Sequence, residues 1–288
     1  MQYDDKRKAN EDLTTVQAGN RKWWTDHTMS YDWNDTVQLT KYSREWFDEI
    51  DRRFIHGARL FGHGEKPFDR IIPFENLAGR RVLEIGCGMG MHSDLMAHAG
   101  GVVSSIDLSP TSVDVTRRRA ELKGISVDVR QMDAVKLDFP DNTFDFVWSW
   151  GVIHHSSQTG QIIKEIHRVL KPGGEVRVMV YNLHGMTAYI TMATRYLFAF
   201  WRGKGLDECL WESTDGYTAR FYTPDLLADA FATFFENVSV QSLGQDSDGV
   251  PLPRYLRRPI LRLISHETLA RWANQRGSFL FVTAKKPA

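Results

Sequence analysis

The sequence is poor in cysteine and in net charge, and each shortage excludes a class of protein. Its 288 residues include only two cysteines, Cys87 and Cys209. Two are too few for a disulfide framework or a cysteine-based zinc site. A reducing, cytoplasmic setting is therefore the expected one. The 36 basic residues balance the 36 acidic residues, so no general electrostatic attraction to nucleic acid is expected.

The sequence also has no apolar run long enough to be expected to span a membrane. Residues 1–20 are polar and mixed in charge, unlike a signal peptide. The most apolar stretch, residues 186–201, contains Arg195 and is shorter than the roughly 20 apolar residues that a span requires. It is expected to be a helix that packs on the core or covers an apolar pocket. Contact with a membrane surface is the minority alternative.

From Arg81 onward, short apolar runs alternate with helix-like segments. Ser109 and Pro110 are typical of the first positions of a helix. This alternation predicts an α/β fold with a parallel sheet and helices on both faces. The expected strands are residues 82–85, 102–106, 125–129, 144–148, 175–181, 238–243 and 279–284.

Three regions are expected. Residues 1–75 are helix-like and rich in tryptophan, and residues 76–182 with 237–288 form the α/β core. Residues 183–236 are expected to be a mostly helical insert. Within the core, residues 251–275 are amphipathic and rich in arginine. Their basic residues, Arg254, Arg257, Arg258 and Arg262, are more typical of a solvated face than of a ligand site.

A glycine-rich segment, EIGCGMG at residues 84–90, joins the first strand to the next helix. Gly86, Gly88 and Gly90 follow a G-x-G-x-G spacing, which differs from the dinucleotide pattern G-x-G-x-x-G. Glycine suits a backbone that turns tightly and approaches a ligand closely. The N–H groups of such a loop can receive a carboxylate or another compact polar group. The alternative is a tight strand-to-helix turn without a ligand.

Polar side chains follow the next strands at the edge where ligands bind in a doubly wound sheet. Asp107 ends the second strand, where a carboxylate can accept hydrogen bonds from both ribose hydroxyls, or can cap the following turn. Asp133 follows the third strand and can accept a hydrogen bond from an adenine amino group, with Met132 on the ring face. Trp150, His154 and His155 follow the fourth strand.

Over residues 80–181 the chain resembles class I S-adenosylmethionine (SAM)-dependent methyltransferases of the methyltransferase type 11 group. VLEIGCGMG, SIDLSP, QMDA, FDFVWSWGVIHH and RVLKPGG carry the resemblance, in this order. It implies a Rossmann-like doubly wound sheet of seven strands with an antiparallel final hairpin. It also implies that the loop and Glu84 hold the methionine part of SAM, Asp107 the ribose and Asp133 the adenine. The residues expected to bind SAM are Glu84, Gly86, Cys87, Gly88, Gly90, Asp107, Leu108, Met132, Asp133, Ala134 and Trp150.

The cofactor determines what chemistry the protein must add. The methyl group of SAM is already electrophilic, so the protein must align the acceptor and remove a proton where necessary. His155 is the first candidate for the base and His154 the second. The alternative for either is a hydrogen bond to the loop backbone. Tyr31 is a further candidate at the reacting centre, where it and nearby tryptophans can flank the cationic sulfonium.

The variable regions are expected to build the acceptor site. The tryptophan-rich residues 23–33 are expected to close as a lid over the site, although simple hydrophobic anchoring is the alternative. For Arg220, the alternative to contact with the acceptor is an ion pair with an acidic surface residue. The residues expected to contact the acceptor are Trp24, His184, Tyr217, Arg220 and Tyr222.

The acceptor is expected to be a small molecule that is methylated on oxygen or nitrogen. One alternative is a SAM-binding regulatory or scaffold protein without transferase activity. Another is a methyltransferase acting on RNA or protein. Activity is expected to need no metal, because the two cysteines and the adjacent histidines lack ligand spacing.

Overall fold

The structure, a computed structural model, describes residues 12–32, 36–63, 66–199, 209–210, 212 and 214–288. Its helices are α1 (Leu13–Asp26), α2 (Arg44–Gly57), α3 (Met91–His98), α4 (Pro110–Lys123), α5 (Thr159–Val169), α6 (Met186–Ala199), α7 (Pro224–Ala232), α8 (Asp246–Gly249), α9 (Arg254–Leu261) and α10 (His266–Gln275). Its strands are β1 (Arg81–Ile85), β2 (Val102–Asp107), β3 (Val127–Gln131), β4 (Phe144–Trp150), β5 (Leu170–Asn182), β6 (Phe221–Tyr222), β7 (Glu236–Leu243) and β8 (Phe279–Lys285).

The strands form one sheet in the order β3-β2-β1-β4-β5-β8-β7. Strands β1 to β5 pair in parallel, whereas β8 is antiparallel to both β5 and β7. The predicted doubly wound α/β fold with an antiparallel final pair is therefore confirmed. The expected number of seven strands was one too low. The two-residue strand β6 pairs with the end of β5 and is too short to show a period in the sequence.

The third strand begins two residues later than predicted. Gly124 adopts a left-handed conformation at the end of α4 (φ 68°). The N–H of Ile125 then donates to the carbonyl of Ala120 at 3.0 Å. Ile125 therefore belongs to the turn that ends the helix rather than to the sheet.

Both faces of the sheet are covered, because alternate residues of a strand point to opposite sides. Leu83 and Ile85 of β1 belong to one apolar cluster, together with residues of α5 and α7. Val82 of β1 and Trp148 of β4 belong to another, together with Phe54 of α2. Residues on β1 from 82 to 85 are at most 1% exposed. This two-sided burial explains why the central strands are almost continuously apolar.

Helix α2 is built into the body of the protein. Arg119 of α4 is 1% exposed and forms ion pairs with Asp51 of α2 at 2.7 Å and with Asp94 of α3 at 3.3 Å. Its guanidinium also lies 4.5 Å from the ring centroid of Phe47. Removing one partner of such a buried ion pair typically costs about 3–5 kcal/mol. Within residues 1–75, α2 is therefore part of the body of the protein.

The structure describes part of the insert expected at residues 183–236. It contributes α6, β6 and α7, and residues 200–208, 211 and 213 lie outside the described part of the chain. The Thr223 hydroxyl accepts from the N–H of Leu226 at 3.2 Å, and Pro224 takes the first helical position of α7. Across the described residues, no helix combines the length and the apolar character that crossing a membrane requires.

Candidate active site

A cavity of about 430 Å³ lies at the edge of the sheet where the parallel strands end. This volume falls within the range of small-molecule sites, about 300–1,000 Å³. Twelve of the residues predicted from the sequence line it: Trp24, Tyr31, Gly86, Cys87, Gly88, Asp107, Leu108, Met132, Asp133, Ala134, Trp150 and His155. The predicted residues that do not line it are Glu84, Gly90, His154, His184, Tyr217, Arg220 and Tyr222.

The glycine-rich loop needs glycine for two different reasons. All three glycines have positive φ, +82° at Gly86, +52° at Gly88 and +76° at Gly90. A Cβ on Gly86 would lie 2.2 Å from a methyl group of Val152, so glycine permits close packing there. A Cβ on Gly88 would meet no atom within 4 Å, and this residue lines the cavity. Gly88 therefore leaves backbone accessible to a ligand.

Asp107 both caps the turn and lines the cavity. Its carboxylate accepts hydrogen bonds from the N–H of Gly88 at 3.0 Å and of Ser109 at 2.9 Å. Each carboxylate oxygen has a second lone pair available for another donor. Burial raises the pKa of Asp107, while the backbone hydrogen bonds oppose that shift. Capping of the turn and binding of ribose hydroxyls, the two functions expected of Asp107, are therefore compatible.

We expect Asp107→Ala to lower the affinity for SAM by about 1–3 kcal/mol, because buried ribose hydroxyls would lose a charged acceptor. Isothermal titration calorimetry measures this change. Asp128→Ala, at an aspartate on β3 whose side chain is 46% exposed, is the control. Unchanged affinity in a folded Asp107→Ala protein would mean that Asp107 serves only the turn.

Asp133 connects the third strand to helix α1. One carboxylate oxygen accepts from the N–H of Val135 at 3.0 Å, and the other from the side-chain amide of Gln17 at 2.9 Å. Gln17 also lines the cavity. Helix α1 therefore reaches the loop to which the resemblance assigns adenine, and Gln17 is a contact that the sequence prediction missed.

Glu84 lies below the loop rather than in the cavity, which corrects the expected direct contact with the methionine part of SAM. Its side chain is 1% exposed and accepts hydrogen bonds from the hydroxyls of Ser93 and Ser105. Ser93 is on α3 and Ser105 on β2. Glu84 thus joins the three elements that carry the loop. Gly90 is likewise structural, since a Cβ there would lie 2.9 Å from Thr116.

We expect Glu84 to make stability depend on pH, because burial raises its pKa to about 8. The unfolded carboxyl has a pKa of about 4.3, so the folded state binds this proton more tightly. The resulting stabilisation is complete below the unfolded pKa and is lost as the pH rises through about 8. The free energy of unfolding should therefore decrease as the pH rises from about 4.3 to about 8. The decrease should be at most about 1.4 kcal/mol per pH unit.

Denaturant titrations of wild type and of Glu84→Gln at several pH values test this expectation. The amide cannot ionise, so the variant should show a flatter profile over this range. The exposed Glu75 supplies the control Glu75→Gln. A Glu84→Gln profile as steep as that of wild type would show that Glu84 does not cause the dependence.

His155 is held in one orientation at the cavity wall. Its Nδ1 lies 2.7 Å from the carbonyl oxygen of Thr218, and the ring is an edge-on neighbour of Trp24, with centroids 4.9 Å apart. A carbonyl only accepts, so Nδ1 carries the hydrogen and the lone pair of the neutral ring is on Nε2. The backbone carbonyl of His155 accepts from the Asn20 amide of α1 at 2.7 Å. The fixed tautomer is the one that a general base at Nε2 requires.

His154, the second candidate base, is excluded by its position. The side chain is 0% exposed and does not line the cavity. Its ring packs against Tyr181 at 4.1 Å between centroids, and burial holds its pKa well below the usual range. The two histidines occupy a tight 3₁₀ turn at Ile153–His155, which directs adjacent side chains to different surroundings.

The acceptor residues expected in the insert do not line the cavity. Tyr222 is buried in an apolar core cluster. Arg220 donates to the carbonyl of Ser157 at 3.0 Å. Tyr217 packs on α1 at Gly19, where a Cβ would lie 2.3 Å from its ring. His184 is exposed, and its N–H donates to the Asn182 side chain at 2.9 Å.

A mainly aromatic group that the sequence did not reveal also lines the cavity: Phe54, His92, Met179, Tyr181 and Phe279. Tyr31 stacks on Phe54 with ring centroids 4.1 Å apart. Burial lowers the pKa of His92 to about 3, so this ring is neutral. The only sequence signal that could have indicated His92 as a lining residue is its position just after the glycine loop. Met179, Tyr181 and Phe279 come from β5 and β8, which only the sheet order brings together, and Phe54 comes from α2.

The described part of the chain holds no group of three or more histidine, cysteine, aspartate or glutamate side chains placed to bind a metal ion. The described cysteines, Cys87 and Cys209, are both buried. Independence from metal stays a prediction, and activity that is lost with a chelator and restored by a divalent ion would contradict it.

Residues 83–178 match the model of a protein family described as a methyltransferase domain. The ubiquinone biosynthesis O-methyltransferase of Pseudomonas aeruginosa (strain LESB58) is 36% identical over 108 residues, which cover 37% of this chain and 46% of that protein. The 2-methyl-6-phytyl-1,4-hydroquinone methyltransferase of Synechocystis sp. is 32% identical over 168 residues, or 56% of this chain and 49% of that protein. The chain thus spans about half the length of these curated relatives.

Solved structures share the fold at lower identity. A SAM-dependent methyltransferase from Mesorhizobium loti aligns with a TM-score of 0.51 and 19% identity, covering 79% of this chain and all of that one. The [4+2]-cyclase SpnF aligns with a TM-score of 0.51 and 21% identity, over 81% and 87% of the two chains. Residues 83–178 are thus similar to a methyltransferase domain, and the solved structures share the fold of this chain.

Proposed function

We propose that the chain transfers the methyl group of SAM to a hydroxyl of a small aromatic acceptor, such as a hydroquinone or a catechol. One observation carries this proposal. A single cavity contains the glycine loop and Asp107, the aromatic group around Phe54 and Phe279, and His155. A site that contains all three can bind a nucleoside and an aromatic ring, and can accept a proton from the acceptor.

The order of the strands supports a division of this cavity into two parts. The loops after β2 and β3, with Asp107 and Asp133, lie toward one edge of the sheet, whereas β5 and β8, with Met179 and Phe279, lie toward the other. The glycine loop after β1 and the segment after β4 lie between them. We assign the first part to the cofactor and the second to the acceptor. The methyl group would then be transferred near β1 and β4.

In the proposed reaction His155 acts as the base. SAM, when bound, supplies a methyl group on a positively charged sulfur and leaves as S-adenosylhomocysteine after transfer. The Nε2 atom of His155 takes the proton of the acceptor hydroxyl as that oxygen attacks. The carbonyl of Thr218, 2.7 Å from Nδ1, then stabilises the imidazolium cation. Helix α1 covers the site and limits the entry of water.

Two features favour a phenolic acceptor over other small molecules. The acceptor part is lined by aromatic side chains, which pack well against a planar ring. The two relatives named above take their names from ubiquinone biosynthesis and from a phytyl hydroquinone. A cavity of about 430 Å³ beneath α1 also suits a small acceptor better than an RNA or protein chain.

Calorimetry and product analysis test the proposal in two stages. We expect SAM and S-adenosylhomocysteine to bind in the micromolar range, about −8 kcal/mol, and NAD not to bind. Incubation with SAM and a series of hydroquinones and catechols should release S-adenosylhomocysteine and form the methyl ether, detected by mass spectrometry. The corresponding dimethyl ethers, which lack the hydroxyl, are the negative control.

The outcomes separate the proposal from its alternatives. Binding of NAD without SAM would overturn the cofactor assignment. Binding of SAM without release of S-adenosylhomocysteine with any phenol would favour a regulatory or scaffold protein that lacks transferase activity. The [4+2]-cyclase with the same fold makes this alternative worth testing, because a fold does not by itself determine a reaction.

A further inference from the structure

An arginine-rich surface with exposed apolar side chains lies at residues 251–272, far along the chain from the SAM-binding motifs. Leu263 is 88% exposed and Tyr255 is 74% exposed. Single exposed apolar residues are ordinary on protein surfaces, but a concentration of them marks an interaction site. The exposed large apolar residues of this segment are Leu252, Tyr255, Leu256, Leu263 and Trp272.

The same segment carries a strong local charge in a protein whose overall charge is zero. It has one acidic residue, Glu267, and its arginines are Arg254, Arg257, Arg258, Arg262 and Arg271. Across the part of the chain that the structure describes, none of these arginines forms an ion pair, whereas Arg53, Arg119 and Arg168 do. Their charges are therefore available to an external anionic partner.

The exposed side chains are not the result of a poorly packed helix. Ile260, Leu261 and Ile264 pack against a buried cluster that includes Leu269 of α10. Helix α9 is thus anchored on its inner face. Tyr255, Arg258 and Arg262 are spaced at three and four residues, so they share another face. One face of this segment therefore presents apolar and basic groups together.

We propose that residues 251–272 form a docking surface for an anionic phospholipid bilayer, with the arginines at the headgroups and the apolar side chains at the acyl boundary. Aromatic and aliphatic groups beside arginines are the combination that interfacial helices use. A second copy of the chain fits less well, because a two-fold symmetric contact would bring the arginines face to face. Nucleic acid would use aromatic stacking, whereas three of the five exposed apolar side chains here are leucines.

The surface lies next to the aromatic part of the cavity. Gln245 lines the cavity and immediately precedes α8, whose Asp246 forms an ion pair with Arg59 at 2.8 Å. The carbonyl of Arg59 in turn lies 3.1 Å from Nε2 of His266 on α10. The sequence placed its minority alternative of membrane contact at residues 186–201. Tyr189, Ile190, Tyr196 and Leu197 of α6 are exposed as well, so it is the arginines without ion pairs that point to residues 251–272.

Vesicle flotation of the full chain tests this proposal. The protein is mixed with vesicles of phosphatidylcholine and phosphatidylglycerol in equal parts, or with vesicles of phosphatidylcholine alone. We expect binding to the mixed vesicles, weaker binding to the neutral ones, and a decrease with added salt. Arg258→Gln should weaken binding about fivefold, the effect expected for one arginine near an anionic surface. Leu263→Ser should weaken it at both low and high salt.

Matched controls come from other helices. Arg118→Gln on α4 removes an arginine whose side chain is 54% exposed, and Leu226→Ser on α7 removes a leucine that is 55% exposed. Both should bind vesicles like wild type. Equal loss in the test and control variants would overturn the proposal, and so would the absence of binding to the mixed vesicles. Sedimentation analysis in the absence of lipid completes the test, since a dimer that Arg258→Gln or Leu263→Ser dissociates would assign this surface to a second copy.

Discussion

We expect His155→Ala to lower kcat by about 10²–10⁴-fold, the usual contribution of a positioned general base. The structure gives the reason: His155 lines the cavity, and its Nδ1 hydrogen bond to Thr218 leaves Nε2 as the basic atom. Steady-state release of S-adenosylhomocysteine measures the effect. Affinity for SAM, measured by calorimetry, should change much less, because His155 acts on the acceptor.

Two further variants distinguish a base from a structural residue. His155→Asn keeps a donor near the position of Nδ1 but has no basic atom, so its loss of kcat should match that of His155→Ala. His154→Phe changes the adjacent histidine, which does not line the cavity, and should retain most of the activity. Recovery of kcat in His155→Asn would mean that the hydrogen bond to Thr218 is what matters, and the assignment of a base would be abandoned.

We expect removal of residues 1–28 to lower turnover by at least about 10²-fold, because the site would lose its cover and the orientation of His155. Helix α1 supplies Asn20, which bonds to the His155 carbonyl, and Trp24, which contacts its ring. Affinity for SAM should fall less, by about 0.5–1.5 kcal/mol for the lost hydrogen bond from Gln17 to Asp133. The core should still fold, since α2 and its buried ion pair with Arg119 remain.

Point variants test the position of α1 without deleting it. Gly19→Ala adds a methyl group that would lie 2.3 Å from the ring of Tyr217, so α1 or the ring must move. Gly160→Ala makes the same change at a helical glycine with no atom within 4 Å. We expect the first to lower turnover and the second not to. A truncated protein that melts like wild type and methylates its acceptor at full rate would show that α1 is not a lid.

Local sequence determined the α/β class and the cofactor end of the site. The strands β1 and β4 are recognisable because both of their faces are buried, which requires nearly continuous apolar residues. The glycine loop, Asp107 and Asp133 each follow their strand directly, so chain order alone places them at one edge. The positive φ at Gly86 and Gly88 belongs to the same kind of local signal, since few other residues adopt it.

Tertiary structure alone decided how the opposite end of the cavity is built and which candidates face it. Phe54, Met179 and Phe279 lie at least 100 residues apart along the chain. Met179 and Phe279 come together because β8 pairs with β5, and Phe54 joins them from α2. His154 and His155 have the same chemistry and adjacent positions, yet burial in a tight turn directs only His155 to the cavity. Glu84 resembles a ligand residue in sequence, but its partners Ser93 and Ser105 place it beneath the loop. Periodicity and motif spacing report what a residue does within its own element, whereas the direction of a side chain depends on the elements that pack against it.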